Sequence, residues 1–71
     1  MKDYRMIVKG IRRNCEDFTI ELTWKHSAAG MITSVVDNRE FDGTMNLNLL
    51  VEESRVDFVR KLAKECGLKE V

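Results

Sequence analysis

Residues 18–26 read FTIELTWKH, and the fold turns on how they are read. Phe18, Ile20, Leu22 and Trp24 alternate with Thr19, Glu21, Thr23 and Lys25 without a break, the pattern of a half-buried strand. Tyr4, Met6 and Val8 alternate in the same way against Arg5, Ile7 and Lys9, so residues 4–11 form a second predicted strand. Segment 12–17, RRNCED, supplies the turn between them. A hairpin register with Tyr4 opposite Trp24, Met6 opposite Leu22, Val8 opposite Ile20 and Gly10 opposite Phe18 puts every apolar side chain on one face. It also lays an aromatic ring over the strand glycine.

Residues 44–51, TMNLNLLV, alternate again, with Met45, Leu47, Leu49 and Val51 inward and Asn46, Asn48 and Leu50 outward. The intervening segment is readable two ways. Ser27 can cap a short helix, while Gly30 and the β-branched Ile32, Thr33, Val35 and Val36 favour a strand over 31–36. That strand pairs with 44–49 through a loop containing Asp37, Asn38, Asp42 and Gly43.

The C-terminal segment is helical. Ser54 is the expected N-cap, with Asp57 three residues on. Val56, Val59, Leu62, Ala63 and Cys66 make one apolar stripe. Gly67 can take the left-handed conformation that ends a helix, and Leu68 can fold back over the last turn. The expected fold class is therefore α+β: a small antiparallel sheet of three or four strands with one C-terminal helix packed on one face, β-β-(β)-β-α.

Seventy-one residues make a single domain, 1–71, close to the smallest size that one core can hold together. With 44% hydrophobic and 34% charged residues the composition is that of a globular domain rather than a disordered chain. No apolar run reaches the roughly 18 residues of a membrane span, and MKDYRMIVKG lacks a signal-peptide core, so no membrane association and a cytoplasmic address are expected. Two cysteines suit a reducing compartment. Cys66 is expected to be buried and Cys15 exposed in the turn.

Net charge is zero, but its distribution is not even. Residues 1–26 carry six cations against four acids, residues 27–53 one against five, and residues 54–71 five against three. A basic–acidic–basic order of this kind suits a charged partner, and solvated faces also produce it.

Catalytic and metal chemistry find little footing. His26 is the only histidine, and nothing in its spacing from Cys15 or a serine prepares a nucleophile and base. Cys15, His26 and Cys66 lack the CxxC or HxxxH spacing of a metal site, and DNREFD lacks the alternating ligands of a calcium loop. The four glycines stand apart, so there is no phosphate-binding loop. No cofactor and no enzymatic activity are expected.

What remains is the second face of the sheet. Ile7, Ile11 and Leu50 interrupt its polar surface, which suits a protein interface with Arg5, Lys9 and Glu21 as its charged rim. The expected function is a small protein-interaction module, a regulator or inhibitor of a larger macromolecular assembly. The alternative is a nucleic-acid-binding module with Arg5, Lys9, Arg12, Arg13, Lys25, Asn46 and Asn48 as contacts. On a meander, residues 4–11 and 44–51 are the sheet edges. The uncharged Asn46, Asn48 and Leu50 then mark the second edge for pairing with its own copy as a homodimer.

Overall fold

A computed structural model describes residues 3–71 of the chain. Strand β1 (Asp3–Ile11) leads directly into helix α1 (Arg12–Ile20), which continues as a π-helical turn, Glu21–Lys25. Strands β2 (Gly30–Asp37) and β3 (Thr44–Glu52) form a hairpin. A single 3₁₀ turn, Glu53–Arg55, opens helix α2 (Val56–Glu65), and a two-residue strand β4 (Lys69–Glu70) comes after it.

The sheet order is β2-β3-β1-β4, with every neighbouring pair antiparallel. β1 and β2 thus run parallel with β3 between them, and β3 and β4 run parallel with β1 between them. Two interleaved split β-α-β units result, the ferredoxin-like arrangement. The α+β class holds, but there are two α-helices, and the connection after β1 is one of them.

That is the main correction to the expected fold. Residues 18–26 are not a strand and 12–17 are not a turn. Tyr4 pairs with Val51, Met6 with Leu49, Val8 with Leu47 and Gly10 with Met45, so the place assigned to 18–24 belongs to β3. Cys15, Phe18 and Leu22 are spaced three and four residues apart, and all three are buried against the sheet. Ile20 and Trp24, inward on a strand, are instead 54% and 83% exposed. The threonines that favour extended backbone are accommodated by back-bonding: Thr19 Oγ1 donates to Cys15 O and Thr23 Oγ1 to Thr19 O, each at 2.7 Å.

Both helices cover the same face. Met6 and Val8 from β1, and Leu47, Leu49 and Val51 from β3, meet Phe18 and Leu22 from the first helix and Val59 and Ala63 from the second. A short α2 alone would leave half of this face in water, which is the physical reason α1 is needed. Cys15 is buried within this core, not exposed in a turn, and Cys66 is half-buried.

The expected hairpin between 31–36 and 44–49 is present. Asn38 O accepts from the backbone N–H groups of Phe41, Asp42 and Gly43, and Gly43 closes the turn at φ 75°. Ser54 is not the N-cap: the 3₁₀ turn places Arg55 there, and the Ser54 hydroxyl donates to Glu52 Oε2 at 2.6 Å. The end of α2 follows expectation. Gly67 has φ 83°, its N–H donates to Lys64 O, and Leu68 N–H donates to Ala63 O, the paired bonds of a Schellman motif. Leu68 is buried and lies where a side chain on Gly10 would have to go, so it is Leu68, not Phe18, that covers that glycine.

Candidate interface on the open sheet face

Side chains alternate across a sheet, so the residues opposite the helices follow from register. β1 contributes Arg5, Ile7, Lys9 and Ile11, and β3 contributes Thr44, Asn46, Asn48 and Leu50. A bulge at Thr33 shifts the phase of β2, which then adds Met31, Ser34 and Val36 to this face. Lys69 stands beside Lys9 on β4, and Val71 follows, its N–H bonded to Ile7 O at 2.8 Å.

Among the described residues no segment crosses this face. Residues 26–43 could have folded over it, but they join the sheet as β2 and its loop. Ile7 is therefore 39% and Ile11 53% exposed, with Met31, Val36 and Val71 also in solvent and Leu50 half-covered. Arg5, Ile7, Thr33, Ser34, Asn48 and Leu50 line a depression of about 420 Å³ near its centre.

The polar residues between these aliphatics are bonded to one another. Asn48 Nδ2 donates to Ser34 Oγ at 2.6 Å, and Asn38 Nδ2 donates to Asn46 Oδ1 at 2.9 Å. The Lys9 ammonium meets the Asp42 carboxylate at 2.8 Å. That hydrogen bond, with two more from Thr44, holds the Asp42 carboxyl well below the usual carboxylate range.

Of the residues expected to form the interface, the fold brings together Arg5, Ile7, Lys9, Ile11 and Leu50, with Asn46 and Asn48 among them. Glu21 and Lys25 do not belong. They lie on the π-helical turn on the helical side and pair with each other at 3.0 Å. Their sheet position followed from reading 18–26 as a strand. Arg12 and Arg13 are exposed in the first turn of α1, just beyond Ile11. Asn46, Asn48 and Leu50 are not an edge, because β3 is paired along both sides; the expected self-association site is corrected accordingly.

Met31, Val36 and Val71 were missed. The bulge hides the first two: Ile32 and Val35 both face the helices, so β2 has no unbroken alternation to read.

The groups considered for chemistry are scattered or engaged. The Cys15 thiol lies 3.5 Å from Gly10 O and 3.7 Å from Met45 O, and burial raises its pKa. Burial likewise raises that of Cys66. His26 packs edge-on to the Phe58 ring at 4.7 Å. Among the described residues no group of three His, Cys, Asp or Glu side chains converges as metal ligands would. No helix among them is long and apolar enough to cross a membrane. Comparison with known proteins adds no family to this geometry: no family model, no curated protein and no solved structure matches the chain.

Proposed function

We propose that this protein is a small non-enzymatic interaction module that binds a partner protein through the open face of its sheet. It acts as a regulator or inhibitor by occupying a surface of a larger assembly. The observation that carries this reading is the set of exposed or half-exposed aliphatic side chains, Met31, Leu50, Ile7, Val36 and Ile11, on a face that no element of the described chain covers. Aliphatic side chains interspersed with Asn46, Asn48 and Lys9, with Arg5 and Lys69 toward the margin, make the mixed surface of a modest protein interface. Asn46 and Asn48 between them are each bonded to a neighbouring side chain, which lowers the cost of removing them from water.

Nucleic-acid binding is the second reading, favoured by Arg5, Lys9, Asn46 and Asn48 sharing one face. Two features weigh against it. A four-stranded sheet that binds single strands does so by stacking bases on aromatic rings, and among the described residues no aromatic side chain stands on the open face. Lys9 is also neutralised by Asp42.

The test is Ile7→Glu beside Leu50→Lys. Each should reduce capture of a protein partner about 100-fold while circular dichroism and melting stay unchanged, and nuclease treatment should leave capture by the wild type intact. A variant that unfolds would show these side chains to be core. Binding of oligonucleotides at low salt that weakens steeply as salt rises would favour the second reading instead.

A further inference from the structure

The two edges of the sheet differ sharply. β4 has two residues, both charged, and Glu70 is tied to Arg60 by a 2.6 Å hydrogen bond. β2 has eight residues, and its single charge, Asp37, lies at its end. The chain contains no proline. Lysines, prolines, inward-pointing charges and bulges are the usual means of blunting an edge; of these β2 has only the bulge at Thr33. Apolar side chains are exposed on both sides of this edge: Met31 and Val36 on the open face, and Val35 (50% exposed) with the neighbouring Ile20 on the helical face.

The backbone phase of β2 is set at its ends. Glu52 N–H donates to Ala29 O, and Asn38 N–H donates to Thr44 O. Alternation from these two points turns Met31, Ser34 and Val36 toward β3. Gly30, Ile32, Val35 and Asp37 turn their backbone groups outward. At the bulge, the Thr33 hydroxyl bonds Asn48 O at 3.1 Å, so the irregular point is held within the chain.

We propose that a second copy of this chain pairs antiparallel with β2 across a two-fold axis between Thr33 and Ser34, joining two four-stranded sheets into one of eight strands. In this register Ile32 faces Val35 of the other copy and Gly30 faces Asp37, so all four outward-directed residues meet outward-directed residues. Met31 then lies beside Val36 on the open face, and Ile32 beside Val35 on the helical face. Each contact is made twice, Met31 to Val36 and Val36 to Met31, as an isologous contact requires, and apolar side chains meet on both faces. The bulge, which would spoil a regular mate, falls on the axis, where both copies bend together. The two Asp37 carboxylates end up about 20 Å apart, beyond the reach of appreciable repulsion at physiological salt.

Sedimentation equilibrium from micromolar to millimolar protein tests this directly, with a dimer expected at the upper end. Val35→Pro removes one outward backbone donor and no bond to β3, so the dimer should be lost. Register is tested by mixing Met31→Cys with Val36→Cys protein under mild oxidation. The cross-strand pair brings their Cα atoms to disulfide distance, whereas within one chain they are roughly 16 Å apart. Cross-linking should occur in the mixture far more than in either variant alone. Ile7→Glu, on the open face, should leave the dimer intact, which separates this contact from the proposed partner site. A wild type that stays monomeric, a folded Val35→Pro that still dimerises, a dimer lost with Ile7→Glu, or equal cross-linking in all samples would overturn the proposal. If Val35→Pro fails to fold, the cysteine mixture decides.

Discussion

Residues 18–24 and residues 44–51 carry the same alternating pattern, yet one is wound into a helix and the other is the strand with a partner on each side. In β3 the alternation is used in full: Leu47, Leu49 and Val51 are all buried, and the residues between them face the open side. In α1 only half of it is used. Phe18 and Leu22 are four apart, which places them on one helical face as readily as on one strand face. Ile20 and Trp24 are what the helix leaves over. Four alternating positions therefore cannot separate the two periods; the residue outside the window does, since Cys15 extends the helical stripe and has no place in the strand.

The sharpest way to break this comparison is to truncate the buried half of the α1 pattern. Phe18→Ala should destabilise by about 3–5 kcal/mol in denaturant unfolding, the cost of a large cavity beneath the helices. Thr19→Pro should follow at about 3 kcal/mol, because proline inside a helix removes a backbone bond and clashes with the preceding turn. A small effect from Thr19→Pro would mean that the segment is extended after all.

Gly67→Ala probes a part of the chain where local signals decide. At φ 83° a side chain should cost about 1–2 kcal/mol, seen as a lower denaturation midpoint with an unchanged slope. Trp24→Ser, in the exposed half of the pattern, should change stability by no more than about 0.5 kcal/mol. A loss comparable to that of Phe18→Ala would place Trp24 in the core.

The smallest effect concerns the loop that leads into β3. Its Asp42 carboxyl, hydrogen-bonded by Lys9, has a folded pKa below its unfolded one, so the stabilisation is fully present above the ordinary carboxylate range. It is lost as pH falls through the depressed folded value. By nuclear magnetic resonance Asp42 should titrate below a free aspartate, and Lys9→Met should bring it toward the ordinary value of about 3.9.

Much of this architecture is legible locally. The alternation of 4–11 and 44–51 marks two strands, Asn38 and Gly43 mark the hairpin turn, and Gly67 with Leu68 marks where α2 must stop. Ile7, Ile11 and Leu50 were recognisable as apolar residues on the wrong side of their strands. Each of these signals is a conflict or agreement between near neighbours, which a sequence displays openly.

Sheet order is different in kind. That β1 takes β3 as its neighbour, and not the segment that follows it, is decided by which apolar faces can be covered at once. One helix cannot cover four strands, so 12–25 must serve as the second. From that single choice follow the removal of Glu21 and Lys25 to the helical side, the enclosure of β3, and the emergence of β2 as the long edge. The residues alone determined the strands around Met6 and Leu49, the turn and the end of the last helix, because these rest on short-range sterics and hydrogen bonding. Only the tertiary structure decided whether FTIELTW would lie in the sheet or over it, because burial is shared among all the elements and no seven residues can settle it by themselves.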